Sequence, residues 1–418
     1  MLKSWLVNIA LALAAFAVFY VPVEIVWRNS LMSFPVILHE QLGRLAPLAQ
    51  VGKADEIPEN YTLIAGDSYA EGLGDWFMQR VNDGNPVYNA GHVLHELTGD
   101  DVLTFGYRGG HPSYVLPYQV TKDYLGMTVF TGIDITPPKR VLVYFYEGND
   151  FADELSGSTV EQMESAAYVE KAVTGRVAAG EDAAVRRWYW LRNAHLIDTA
   201  TKLGKLVFKN LGERDIPVFA PDDRWIRSYT SRDTYREDWG RYEESDAIIT
   251  VGGETGTYPD RTQEPITFNT AREMNAVANL FEASLGSLRK LFPEAEIWTV
   301  YIPSPVNAYR FVSQTVEVSD RRFENGKQLR GKLMRKDVAD ILRNSDKACG
   351  AIRDAAAHAG VKFMDTRARL REISATEGYL HGPNDPGHFN ELGYRSLAAV
   401  MQQGLQGELP GGCDVAGH

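Results

Sequence analysis

Apolar runs closed by glycine, asparagine or proline recur along the chain. Tyr61 to Ala65, Asp101 to Phe105, Arg140 to Tyr146 and Glu296 to Ile302 read as strands, with Val361 to Asp365 as a fifth. Between several of them the apolar spacing changes to that of helices, notably over Met274 to Leu291 and Asp337 to His358. Strands alternating with helices predict an α/β fold in which a parallel sheet is covered by helices. The stretch from about 151 to 268 breaks this rhythm. It offers helices over Val160 to Val173 and Ala183 to Leu211, then a dense run of Arg, Asp, Tyr and Trp from Asp222 to Tyr242. A regular βα unit does not need so many residues, so this is an insertion, either a cap beside a site or a peripheral elaboration.

The N-terminus has another pattern. Trp5 to Val23 is apolar except for Asn8 and follows Lys3. As a helix it is about 28 Å long, close to the roughly 30 Å of a hydrocarbon core, so it is expected to be a transmembrane anchor. Ala15-Phe16-Ala17 has the small-x-small form of a signal cleavage site, but the apolar run continues past it. Lys3 suits a cytoplasmic N-terminus, with Arg28 reducing the contrast. In a Gram-negative host the rest of the chain would then face the periplasm, with the inner membrane as its partner; cleavage would make it secreted.

At 418 residues, 44% of them hydrophobic, the chain is long enough for at least one large core. A formal net charge of -12 spread along the chain argues against nucleic acid as a partner. Cys349 and Cys413 are too few for a disulfide framework, though one bridge is open to them, and neither has a neighbour at metal-ligand spacing. The Gly-rich tail after Gln402 is expected to be flexible.

Candidate chemistry gathers at strand ends. Gly66-Asp67-Ser68-Tyr69-Ala70-Glu71-Gly72 places Ser68 in a glycine-flanked turn directly after a strand, where an α/β fold displays a nucleophile; Asp67 and Ser68 equally suit a helix cap before a helix over Gly72 to Val81. A serine hydroxyl needs a base, an orienting acid and an oxyanion site. Asp385-Pro386-Gly387-His388 lets a carboxylate and an imidazole project from one tight loop, which makes His388 the best general base of nine histidines. Asn149 follows a strongly apolar strand and can offer its side-chain amide to an oxyanion, or form an ordinary Asx turn with Asp150. Gly109, in Gly106-Tyr107-Arg108-Gly109-Gly110, can offer a backbone N–H or be a turn glycine.

Taken together, Gly66-Asp67-Ser68, Glu147-Gly148-Asn149-Asp150 and Asp385 to His388 resemble the blocks of the SGNH hydrolases, the GDSL esterase/lipase superfamily. The second of these departs from the family's G-x-N-D, because Gly148 directly precedes Asn149. The resemblance covers about 61 to 150 and 290 to 403. It implies a three-layer α/β/α sandwich of flavodoxin-like type, with Ser68 as nucleophile, His388 as base and Asp385 as its orienting partner. It also implies an oxyanion hole from the Ser68 and Gly109 N–H groups and the Asn149 amide, with Gly91 as the alternative glycine. The expected domains are an anchor or signal-like segment (1–28), a juxtamembrane linker (29–60), an SGNH hydrolase-like domain (61–403) carrying the insertion, and a tail (404–418).

The expected function is serine-dependent ester hydrolysis through an acyl-enzyme, without cofactor or metal. From its expected location the substrate is an acylated small molecule or an O-acetylated cell-envelope or exported polysaccharide. Transfer of the acyl group to a sugar hydroxyl and a non-catalytic glycan-binding or assembly role are the alternatives, with Arg224, Trp225, Tyr229, Tyr235, Trp239 and Tyr242 as candidates for stacking on sugars. A metal hydrolase would draw on His92, His95, Glu96, His111, His381 and His388, but H-x-x-H-E lacks the H-E-x-x-H spacing.

Overall fold

The computed structural model describes residues 2–29, 58–83, 87–130, 135–185, 246–259, 270–319, 323–324, 327–328, 333–409 and 412–414. Most of the expected linker, the helix expected over Ala183 to Leu211 beyond residue 185, and the aromatic run from Asp222 to Tyr242 lie outside the described residues.

Five strands form a parallel sheet: β1 (Thr62–Gly66), β2 (Val102–Gly106), β3 (Arg140–Tyr146), β4 (Glu296–Ile302) and β5 (Lys362–Asp365). Their order is β2-β1-β3-β4-β5, a doubly wound arrangement whose direction of winding reverses between β1 and β3. Ligand sites in such sheets lie at that reversal, beyond the carboxyl ends of the strands. Ser68 follows β1 and Asn149 follows β3, so both stand there.

Alternation along the strands divides the interior in two. Leu63, Ala65, Val141, Val143 and Phe145 face one apolar layer, while Ile64, Leu142, Tyr144 and Tyr146 face the other. The first layer is closed by the helices Ala271–Leu291 and Val338–His358. The former begins with a capping box between Thr270 and Glu273, then buries Met274, Val277, Leu280, Phe281, Leu285 and Leu288 at three- and four-residue spacing. Met163, Val169 and Val173 join this same layer, so the first part of the expected insertion packs into the main core. The second layer is closed by Asp75–Asp83, Ala90–Thr98, Arg367–Glu377 and Glu391–Leu405. Cys349 and Cys413 form a disulfide that ties the segment after the last helix to the helix Val338–His358.

Two expectations are corrected. Beside the central sheet stand three smaller antiparallel ones that the apolar pattern does not announce: Ile248–Val251 with Glu254–Thr257 and Arg310–Phe311, Thr315–Ser319 with Leu333–Asp337, and Phe323–Glu324 with Lys327–Gln328. The second correction concerns the N-terminus. A helix forms over Leu2–Asn29, but among the described residues no helix is long and apolar enough to cross a membrane. Asn8 interrupts the apolar run, and Pro22 lies inside the helix, where it removes a backbone hydrogen bond. The transmembrane helix, the inner-membrane partnership and the periplasmic placement all rested on that span and are withdrawn with it.

Candidate active site

The turn after β1 is built from Asp67. Its Oδ1 accepts the Tyr69 N–H at 2.9 Å and so caps the short helix Ser68–Glu71, which Gly72 ends in a left-handed conformation. Ser68 occupies the first helical position, where its N–H has no carbonyl four residues back to bond. The helix-cap and nucleophile readings therefore describe one geometry. Asp67 caps through Oδ1, and on its own turn the Ser68 hydroxyl has only a long 3.5 Å contact to Asp67 Oδ2.

The hydroxyl meets the C-terminal loop. Ser68 Oγ lies 2.9 Å from His388 Nε2, and His388 Nδ1 lies 2.7 Å from Asp385 Oδ2. The second Asp385 oxygen accepts the Gly387 N–H at 3.2 Å, which fixes the carboxylate within its own loop. With the Nδ1 proton directed at Asp385, Nε2 is left as an acceptor for the serine proton.

Residues absent from the expected site hold this loop in place. The Tyr69 and Tyr146 hydroxyls both donate to the Gly387 carbonyl, at 2.9 and 3.3 Å, with their rings 4.0 Å apart. Tyr69 belongs to the serine block and Tyr146 ends β3, so His388 is tied to both sides of the winding reversal. Asp75 accepts the Asn384 side-chain amide at 3.0 Å and its backbone N–H at 3.3 Å. Gly74, at φ +129°, packs so closely under the loop that a Cβ there would stand 2.3 Å from the Phe389 carbonyl oxygen and 3.2 Å from the His388 Cβ. Adjacency to Ser68 is a sequence signal for Tyr69; nothing in the local pattern marks Asp75 as a partner of Asn384.

Gly74→Ala is accordingly expected to shift His388 from Ser68. A displacement near 1 Å lowers kcat about 10²-fold. Steady-state kinetics on a small acyl ester check this, and an unchanged kcat would show that the close packing does not set the histidine's position.

Buried acids surround the serine turn. Burial pushes the Asp67 carboxyl up to about 6, with the Tyr69 N–H and His388 opposing and Asp153 adding to the rise. Burial, then repulsion from Asp67, pushes Asp150 well above the ordinary range, although its Oδ2 accepts the Tyr146 N–H at 2.7 Å. Burial would raise Glu154 too, but His111 and Ser113 hold it below its usual value. Behind the asparagine loop, burial raises Glu147 against the pull of Arg367; Glu147 accepts the Ser304 N–H at 3.0 Å, which joins the ends of β3 and β4. Arg367 is wholly buried and bonded to Asp365, Ser345 and Asp346.

Asp75 gives a pH test. Burial is the main cause that raises its carboxyl from 3.8 to about 6, with Asn384 opposing and Asp385 reinforcing. A carboxyl whose pKa is higher in the folded than in the unfolded chain destabilises the fold above the folded value, and this cost fades as pH falls from about 6 toward 3.8. Asp75→Asn removes the ionisation. Its stability relative to wild type should therefore be greater at pH 8 than at pH 4, by up to about 3 kcal/mol. Urea unfolding of both proteins at the two pH values measures the difference, and a pH-independent difference would contradict the assignment.

Asn149 caps the helix Asp150–Gly157 without a side-chain cap bond, and among the described residues its Oδ1 has no hydrogen-bond partner. Its amide is thus not spent on the helix. Gly109 lies in a left-handed turn at φ +67°, closed by the Gly110 N–H on the Tyr107 carbonyl at 3.0 Å. Among the described residues it makes no hydrogen bond to Ser68 or Asn149. Gly91 is buried against Val102 and Thr104, beneath β2 rather than beyond its carboxyl end.

The histidines of the metal reading are dispersed. His92 is bonded to Asn89, His95 to the Asp100 carbonyl, His111 to Ser113 and Glu154, and His381 to Tyr309. Among the described residues the acidic, histidine and cysteine groups close enough to share an ion are Cys349, Asp365 and Cys413, and the two cysteines are joined in the disulfide. A groove of about 640 Å³ lined by Val169, Val173, Glu282 and Lys290 among others contains none of the residues around Ser68. Comparison of the chain with family models, with curated proteins and with solved structures gives no match.

Proposed function

We propose that the chain is a serine-dependent ester hydrolase of the SGNH type that works through an acyl-enzyme on Ser68. The observation that carries this reading is the continuous line of hydrogen bonds from Asp385 through His388 to Ser68, closed across 320 residues of sequence. His388 Nε2 accepts the Ser68 proton as Oγ attacks the ester carbonyl. The negative charge that develops on the carbonyl oxygen is met by the Ser68 N–H and the Asn149 amide. Gly109 supplies a third donor in this reading, which requires its exposed turn to close on the oxyanion. His388 then gives its proton to the leaving alkoxide, and the alcohol departs. A water, deprotonated by the same nitrogen, attacks the acyl carbon and releases the carboxylic acid and Ser68. Asp385 holds the ring and stabilises the imidazolium formed in each half.

An acylated carbohydrate is the substrate class we assign, on the tyrosine rings that follow β2 beside the serine turn. With the membrane span withdrawn, location no longer bears on that choice. A sugar hydroxyl in place of water would make the same acyl-enzyme a transferase. Rapid mixing with p-nitrophenyl acetate, with and without an oligosaccharide acceptor, tests the reading. The expected result is release of p-nitrophenol and of free acetate whether or not the acceptor is present. Acetate appearing on the acceptor would favour transfer, and no turnover of acyl esters would sink the enzyme reading.

A further inference from the structure

We propose that Tyr107, Tyr114 and Tyr118 form a sugar-binding platform beside Ser68, which holds the carbohydrate part of an O-acylated glycan while its ester faces the serine. The inference rests on the ester-hydrolase reading for its catalytic half and supplies the substrate recognition that reading lacks.

The platform begins where β2 ends. The Tyr107 N–H donates to the Gly66 carbonyl at 3.0 Å, two residues before Ser68. The next residue, Arg108, donates its N–H and guanidinium to Glu71, the last residue of the serine helix, with N–H and Nε distances of 3.0 Å. The Tyr107 ring lies 5.6 Å from Tyr114, and Tyr114 lies 4.9 Å from Tyr118. Tyr107 is 38% exposed and the other two are half-buried, so this run of rings is open to solvent.

The rings are held from behind. Tyr118 sits in a π-helical turn, Val115–Val120, whose Val115, Leu116, Pro117 and Val120 are buried. Such turns re-aim side chains and are frequent at functional sites. A Cβ on Gly110 would stand 2.5 Å from Val115 and 3.0 Å from the Tyr107 ring, so the glycine leaves the room in which that ring sits beside Val115. Glu154 accepts the Ser113 N–H at 2.7 Å and its hydroxyl at 2.6 Å, and His111 Nδ1 lies 3.0 Å from it. Glu154 belongs to the helix that Asn149 caps, so the platform is fastened both to the serine turn and to the asparagine loop.

The chemistry of the surface selects the ligand. A pyranose presents a face of C–H groups that packs on an aromatic ring, and hydroxyls at its edge that need donors and acceptors. Tyrosine supplies the ring and one hydroxyl. Lys122 and Asp123 add a polar rim, both hydrogen-bonded to the buried Gln119, with the Lys122 ammonium 5.6 Å from the Tyr118 ring centre. Burial, then the neighbouring Tyr107 and Tyr118, pushes the Tyr114 phenol up to about 12. Arg108 is already paired with Glu71 and Lys122 with Asp123, so these cations are neutralised by their own partners, and a bare acyl chain has no use for the polar rim.

The test compares wild type, Tyr107→Ala, Tyr114→Ala and Tyr114→Phe on p-nitrophenyl acetate and on chemically O-acetylated cello- and malto-oligosaccharides. The expected result for the alanine variants is a loss of kcat/KM on an acetylated oligosaccharide at least tenfold greater than on p-nitrophenyl acetate, carried by KM. Tyr114→Phe should keep most of the affinity. Equal losses on both substrates, or none on the oligosaccharides, would overturn the platform. Calorimetric titration of Ser68→Ala with the unacetylated oligosaccharides reads the platform without catalysis. Saturable binding that Tyr107→Ala removes supports it, and absence of binding to both sugars overturns it. Failure of wild type on p-nitrophenyl acetate would instead count against the catalytic reading.

Discussion

Ser68→Ala is expected to lower turnover of p-nitrophenyl acetate by about 10⁴-fold or more, the scale seen when the nucleophile of such a unit is removed. The substitution deletes the oxygen that forms the acyl bond and leaves His388 without the group it deprotonates. It should do so without unfolding the turn, because the cap comes from Asp67 to Tyr69 and alanine favours a helical position. Thermal unfolding alongside kinetics separates the two effects. A variant that keeps the wild-type rate would show that the nucleophile lies elsewhere.

Asp385→Asn is expected to lower kcat by about 10⁴-fold with little change in stability. The two carboxylate oxygens have different partners: one accepts from Gly387 N–H and the other from His388 Nδ1. An asparagine satisfies the backbone donor with its carbonyl oxygen, which turns its NH₂ toward the imidazole. Nδ1 must then become the acceptor and the ring proton moves to Nε2, facing Ser68 as a donor. The base is lost while the loop remains. Recovery of rate at alkaline pH, where hydroxide replaces the base, would accompany this tautomer change. A fall of less than tenfold would mean that His388 keeps its tautomer without Asp385.

The sheet was legible where one strand carried its own punctuation. Arg140 to Tyr146 is a run of large apolar residues closed by Glu147-Gly148-Asn149, and the strand occupies those limits. The small sheets were not legible, because Ile248–Val251 pairs with only two residues of Arg310–Phe311 across a long separation and neither segment is long enough for alternation to stand out. At the N-terminus, counting hydrophobic residues through Asn8 and Pro22 gave a span that the helix does not provide. Cysteine spacing left one bridge open but could not place Cys413 against Cys349, since the contact depends on where the chain returns after the last helix.

The site divides in the same way. Ser68, Asp385 and His388 stood out because each lies in a short loop whose own residues shape it: Asp67 caps the serine turn, and Gly387 fits between acid and imidazole. Tyr146, Gly74 and Asp75 did not stand out. Their roles appear only when β3, the turn after the serine helix and the C-terminal loop meet, and no local spacing encodes that meeting. Asn149 was visible by its position after β3, whereas the left-handed turn at Gly109 shows only in the folded chain.

Labelling of the intact protein with a serine-reactive fluorophosphonate, followed by peptide mass spectrometry, tests the central claim most directly. One adduct is predicted, on the peptide that carries Ser68, with labelling abolished in Ser68→Ala and slowed at least 10²-fold in His388→Ala. An adduct on another residue, or labelling of Ser68 at the same rate without His388, would contradict it.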